Sequence, residues 1–211
     1  MVELIREDNV LVGKKTKGGQ MKELQAYTGD FDPNLRLEDL SKEVLVNLLR
    51  EYARLGLLLE AQFNSLISQR FGAEAATDIN LKARLVVEPI EMKTIKEILG
   101  VPGNDVVSMI KTMHWVPDGP LNGDIFQLHY DIKTNNHVIM TVTKCKSMEY
   151  YERHGDEKGM KNLCEVLEPP IFNAICQAIN PDMKMRPLKL PPRKSKEDIC
   201  CQWEIKVEPK A

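Results

Sequence analysis

From Leu45 onward apolar residues recur every three or four positions, at Leu48, Tyr52, Leu55, Leu59, Phe63, Leu66 and Ile67, which predicts one amphipathic helix over residues 42–71. Ser41 offers an N-cap oxygen, Glu43 an acid for the positive end of the dipole, and Phe71-Gly72 a stop. The apolar stripe is wide enough to face a core and a partner subunit, and Leu57, Leu58 and Leu59 widen it further. It therefore predicts a homodimer formed largely through this helix. A second helical stretch follows Thr77-Asp78, and a third runs from Pro89 to Leu99 before Gly100. Asn104 is placed to cap a short helix carrying Val106, Met109, Ile110 and Met113.

The period then changes to two. Phe126, Leu128, Tyr130 and Ile132 alternate with Gln127, His129 and Asp131, and beyond a turn at 133–136 Val138, Met140 and Val142 alternate with Ile139, Thr141, Thr143 and Cys145. This predicts a hairpin, in whose simplest register Cys145, Ile139, Thr141 and Thr143 share a face with Phe126, Leu128 and Tyr130, and His129 points away. A helical insert with Met148, Tyr151, Val166 and Leu167 follows. Pro170 then opens a turn carrying Phe172, Ile175, Cys176 and Ile179, which Asn180-Pro181-Asp182 ends. A second hairpin is expected from Met183 to Leu190, across Pro191-Pro192, and back along Ile199 to Val207. The fold class is therefore α+β: an N-terminal helical layer with a long amphipathic helix, packed on a small antiparallel sheet of two hairpins.

Residues 1–40 read as a flexible or loosely packed extension, because the basic, glycine-rich Gly13 to Gly19 run has little to bury; residues 41–211 read as one α+β domain of ligand-binding type. The run is no phosphate loop. Asp8 stands where such a loop needs its first glycine, and Lys14 is followed by Lys15 rather than Ser or Thr. Charged residues make up 28% of the chain with a net charge of -2 and interspersed signs, so no stripe for nucleic acid exists. No apolar run reaches membrane-helix length, and the N-terminus has no signal-peptide pattern. A cytoplasmic protein without membrane or nucleic-acid partners is the expectation.

The chemistry on offer is sulfur. All five cysteines, Cys145, Cys164, Cys176, Cys200 and Cys201, fall in the last third of the chain, and their odd number and wide spacing argue for reduced thiols rather than a disulfide framework. Strand alternation turns Cys201 inward with Trp203 and sets Cys200 outward with Gln202 and Glu204. Cys164 is expected on a loop following Gly155 to Gly159, and Cys176 is expected as apolar filler in a helix. Cys145, Cys164 and Cys201 are the candidate metal ligands, with zinc and iron the candidate metals, and Cys201 and Cys145 are the candidate nucleophiles. Packed, inert thiols are the competing reading, since no C-x-x-C spacing is present. Tyr130 and Trp203 are candidate walls of a ligand pocket, although Trp203 equally suits a core position.

Several stretches occur in a distinctive order: Leu40-Ser41-Lys42-Glu43, Glu51-Tyr52-Ala53-Arg54-Leu55, Arg70-Phe71-Gly72 and Ile95 to Gly100, then Thr143-Lys144-Cys145, Tyr151-Glu152-Arg153, Cys164, Asn180-Pro181-Asp182, Leu190-Pro191-Pro192 and Cys201-Gln202-Trp203-Glu204. Together they resemble an uncharacterised prokaryotic family related to the L-2-amino-thiazoline-4-carboxylic acid hydrolase-like proteins and, more distantly, to 4-vinyl-reductase domains. The resemblance covers about residues 40–207. It implies an α+β ligand-binding fold with a pocket between helices and sheet, often dimeric, and it promotes Arg153 to a ligand-binding candidate. Many members carry two further cysteines where this chain has Pro187 and Leu190, and an acid where it has Arg193. The expected function is a small-molecule or metal-binding domain with a cysteine-containing pocket. A hydrolase opening a small cyclic C–N or C–S compound is the alternative that the resemblance implies.

Overall fold

A computed structural model describes residues 23–117, 119 and 125–208. Lys42–Phe71 is one helix, α1, with Ser41 Oγ accepting the Val44 N–H at 3.3 Å as the N-cap. The chain forms two compact units, Met1–Asn47 and Leu48–Ala211, divided inside α1. Within the first unit Leu24 lies beside Leu40 in a parallel bridge, held by Leu24 N to Asp39 O and Ser41 N to Leu24 O, each 2.9 Å. The expectation for Gly13 to Gly19 lies outside the described residues.

In the second unit α2 runs from Ala73 to Leu99 without a break. Only Gly72 separates it from α1, and its φ of 91° is a conformation that glycine alone adopts freely. The two helices expected around Thr77-Asp78 and Pro89 are thus one, and Pro89 lies inside it rather than at a start. Proline removes one intrahelical hydrogen bond there. What carries the helix through is its inner face: Met92 is fully buried, and Glu88, nearly so, is held by Arg84 at 2.8 Å. The short helix α3, Val106–Met113, is capped by Asp105, whose carboxylate accepts Ser108 N–H at 2.7 Å. The expected cap, Asn104, instead lends its carbonyl to Asn180 Nδ2 at 3.1 Å.

Strands β1 (Phe126–Thr134) and β2 (His137–Cys145) form the first hairpin; β3 (Met183–Lys189) and β4 (Cys201–Val207) form the second antiparallel pair. β2 also pairs with β4, so the two pairs merge into one four-stranded antiparallel sheet ordered β1-β2-β4-β3. Between the hairpins lie α4 (Lys146–His154), α5 (Glu157–Lys161), a π-helix (Asn162–Leu167) and α6 (Glu168–Ile179). The architecture is α+β. The helices touching the sheet are α6 and α3, while α2 packs along α6. Met109, Val138, Met140, Ile171, Met183, Trp203 and Ile205 fill the space between them. None of the side chains of α1 is buried.

The hairpin corrects the facing of β2. Val138, Met140 and Val142 are the buried residues and pair with Ile132, Tyr130 and Leu128, so Ile139 and Thr141 belong to the opposite face, beside Asp131 and His129. A bulge at Thr143, where the register steps from Gln127↔Lys144 to Leu128↔Val142, adds one residue to β2. That residue flips the alternation and turns Cys145, opposite Phe126, to the core side. No helix among the described residues is long and apolar enough to cross a membrane.

Candidate functional site

The core face of the sheet presents its side chains in rungs. Tyr130, Met140 and Trp203 stand side by side on β1, β2 and β4; one pleat further on stand Leu128, Val142 and Cys201; beyond the bulge stand Phe126 and Cys145. Cys201 thus borders Trp203 on its own strand, and the indole N–H donates to Cys201 Sγ at 3.2 Å. Phe172 of α6 meets the Trp203 ring edge to face, 4.8 Å between centroids, and closes that end of the row. Cys145 is the residue before α4, and its Sγ accepts the Met148 N–H at 3.4 Å in the manner of a cap.

Cys164 arrives from above the sheet on the π-helix, not on a loop. This segment is tied at both ends to α2: Asn162 Nδ2 donates to Thr77 Oγ1 at 2.7 Å, and Glu168, the first residue of α6, accepts from Arg84 Nη1 at 3.2 Å. Thr77 and Arg84 are two turns apart on one face of α2, so a single helix face fixes both ends of the segment that carries the thiol. Wider π turns are frequent at functional sites because they shift side chains out of the α-helical register. Nothing in the residue pattern around Asn162 to Leu167 announces one.

These elements bring Cys145, Cys164 and Cys201 together. Each is half-buried at the edge of the core, and a charge on one raises the thiol pKa of the next: Cys164 feels Cys145 and Cys201, and Cys201 feels Cys145, while the buried Cys200 acts on both Cys145 and Cys201. Burial is the main cause of the shift, pushing Cys145 up to about 11 and Cys164 and Cys201 up to about 12. The carboxylate of Glu168 adds to the shift on all three. At neutral pH the site is a cluster of protonated thiols. Tyr151 of α4 stands beside it, its phenol pushed up mainly by burial and partly by Asp156 and Cys164. Tyr151 and Glu168 are neighbours of the thiols that the strand and helix periods gave no reason to select.

Other expected members lie elsewhere. Trp203 is a core residue, almost fully buried. Tyr130 reaches α3, where its hydroxyl lies 2.9 Å from His114 Nε2. Arg153 is exposed, because α4 turns Met148 and Tyr151 inward and leaves position 153 on the solvent side. Cys176 is fully buried in α6. Cys200 is a correction: it precedes β4 rather than facing outward from it, and at 1% exposure it is more buried than Cys201 and part of the core, with the Cys145 N–H directed at its sulfur. Its N–H binds Val142 O at 2.8 Å, and its sulfur lies in the fields of Arg193, Glu152 and Glu149. Arg193 holds α4 to the loop after β3 through Glu152, at 2.8 and 2.6 Å.

Among the described residues no three His, Cys, Asp or Glu side chains are arranged to hold a metal ion, so the three thiols as placed do not fit zinc or iron. A cleft of about 390 Å³ between the end of α2 and α3 is lined by Leu99, Val101, Ile110, Lys111, His114 and Trp115, and no cysteine borders it.

Residues 38–207 match the model of a family of unknown function, DUF6125, and the chain belongs to that family. No curated protein and no solved structure matches the chain.

Proposed function

We propose that this chain is a small-molecule-binding domain whose site is the thiol cluster of Cys145, Cys164 and Cys201. The observation that carries the reading is their convergence from three separate elements, the end of β2, the π-helix and the start of β4, into mutual electrostatic reach. Protonated, half-buried thiols flanked by Trp203, Phe172 and Tyr151 favour a soft, partly apolar ligand held by sulfur contacts and aromatic edges.

Binding is favoured over hydrolysis by the electrostatics. A nucleophilic cysteine needs a cation, a base or a helix N-terminus to lower its pKa; only Cys145 has one, in the Met148 N–H at the start of α4, and burial outweighs it, while Glu168, the charged residue acting on all three thiols, raises each. We take the ligand class, a small sulfur- or nitrogen-containing ring, from the resemblance to aminothiazoline-carboxylate hydrolase-like proteins and 4-vinyl-reductase domains. We further propose that the chain acts as a homodimer inside the cell.

Native mass spectrometry with elemental analysis of protein purified without oxygen tests the site. A bound mass that persists in Cys176→Ser and disappears in Cys145→Ser, Cys164→Ser and Cys201→Ser supports it. Equal retention in all four variants contradicts it, and stoichiometric zinc or iron in place of an organic mass replaces the small-molecule reading with a metal site.

A further inference from the structure

The outer surface of the α1–α2 region carries two apolar stripes. On α1, Leu49, Tyr52, Leu55, Leu59, Phe63 and Leu66 lie along one side of the helix with between 43% and 66% of their surface exposed. On α2, Ile79, Val86 and Ile90 point away from the face that carries Thr77, Arg84 and Met92, and Val86 is 63% exposed. Both stripes lie on helical segments of the same unit. A helix of 30 residues with no fully buried side chain, and only a few such as Leu48, Leu57 and Ile67 half-buried, gains little from tertiary packing, which is where helical stability in proteins mostly originates.

We propose that the occupant of both stripes is a second copy of this chain, with α1 of each copy lying on the outward stripe of α2 of the other. This deepens the homodimer reading by naming α2 as the receiving surface, and it is independent of the thiol site. Three observations favour a second copy. A two-fold axis covers both stripes at once, because the contact of α1 on α2 recurs as α2 on α1; an unrelated partner would have to supply two matching surfaces. The lengths agree: at 1.5 Å per residue the Tyr52 to Leu66 stretch spans about 21 Å and the Ile79 to Ile90 stretch about 17 Å. The area suffices as well. Nine side chains offering roughly 100 Å² each supply about 900 Å² per copy, against the ~800 Å² that a stable interface buries on each side.

Charge does not oppose the association. In the second unit's part of α1, Arg50, Arg54 and Arg70 are offset by Glu51 and Glu60, and Arg54 is already paired with Glu51. Along α2, Lys82 pairs with Asp78 at 2.7 Å. The rim of each stripe is therefore nearly neutral, and two identical copies approach without strong repulsion.

Light scattering coupled to size exclusion on the full chain, between 1 and 100 μM, is the test. The wild type is expected at about twice the 24.1 kDa chain mass. Leu59→Glu/Leu66→Glu on α1 and Val86→Glu/Ile90→Glu on α2 should each weaken the dimer at least 100-fold, leaving monomers with an unchanged near-ultraviolet spectrum from Trp203 in the core. A monomeric wild type overturns the proposal. A dimer that survives the α2 variant while the α1 variant dissociates also overturns it, since α1 would then pair with something other than α2. If either variant loses the Trp203 signal, the milder Leu59→Ser and Val86→Ser are read instead, with a tenfold weakening expected.

Discussion

Cys200 and Cys201 are adjacent in sequence and opposite in circumstance. Cys201 is half-buried on the core face with Trp203 donating to its sulfur, whereas Cys200, just before β4, is fully buried in the core within the fields of Arg193 and Glu152. The alternation that turned Cys201 inward was legible in the sequence; the burial of Cys200 was not, because it is set by residues far along the chain. Cys200→Ser places a hydroxyl where a buried sulfur was and should cost about 1–3 kcal/mol in a denaturant titration. For the thiol cluster a pH dependence follows. A thiol whose folded pKa lies above its ordinary value of 9.0 leaves the folded state holding more protons than the unfolded state between that value and about 11 to 12. The contribution to stability is complete below pH 9 and lost as pH rises through that window. Melting temperature should accordingly fall from pH 9 to pH 11 in the wild type, and fall less in Cys164→Ser. Identical slopes in the two proteins would count against the burial of Cys164.

At the scale of elements, periodicity located α1 and all four strands closely, since each carries a regular apolar repeat on a face with one environment. It failed where tertiary contacts overrode local signals. Pro89 reads as a helix start, yet the grip of Arg84 on Glu88 and Glu168 and the burial of Met92 hold α2 together through it. The bulge at Thr143 is equally silent in the residue pattern, and it alone brings Cys145 to the core side. The π-helix carrying Cys164 depends on the tie between Thr77 and Asn162. Thr77→Val removes that hydrogen bond and should lower stability by about 1 kcal/mol, while raising the alkylation rate of Cys164 severalfold in a mass-resolved iodoacetamide time course. Arg84→Met removes the cation shared by two nearly buried carboxylates and should cost about 3 kcal/mol or more by thermal unfolding. A loss below ~1 kcal/mol would show that other contacts hold the segment.

For the molecule as a whole, one α+β unit gathers thiols from three elements against a four-stranded sheet, and α2 turns one face toward them and the other outward. Within the first unit Phe31 and Leu37 are exposed, and the pairing of Leu24 with Leu40 rests on two backbone hydrogen bonds. A chain beginning at Phe31 should melt within a few degrees of the full protein. The measurement that reaches the thiol cluster most directly is the mass of the intact protein after phenylarsine oxide, whose arsenic bonds two sulfurs at once and releases one water. A single retained adduct in the wild type and in Cys176→Ser, lost when any two of Cys145, Cys164 and Cys201 are replaced together by serine, is the predicted result. No bridged adduct, or an adduct that survives these double replacements, would show that the three thiols do not form one site.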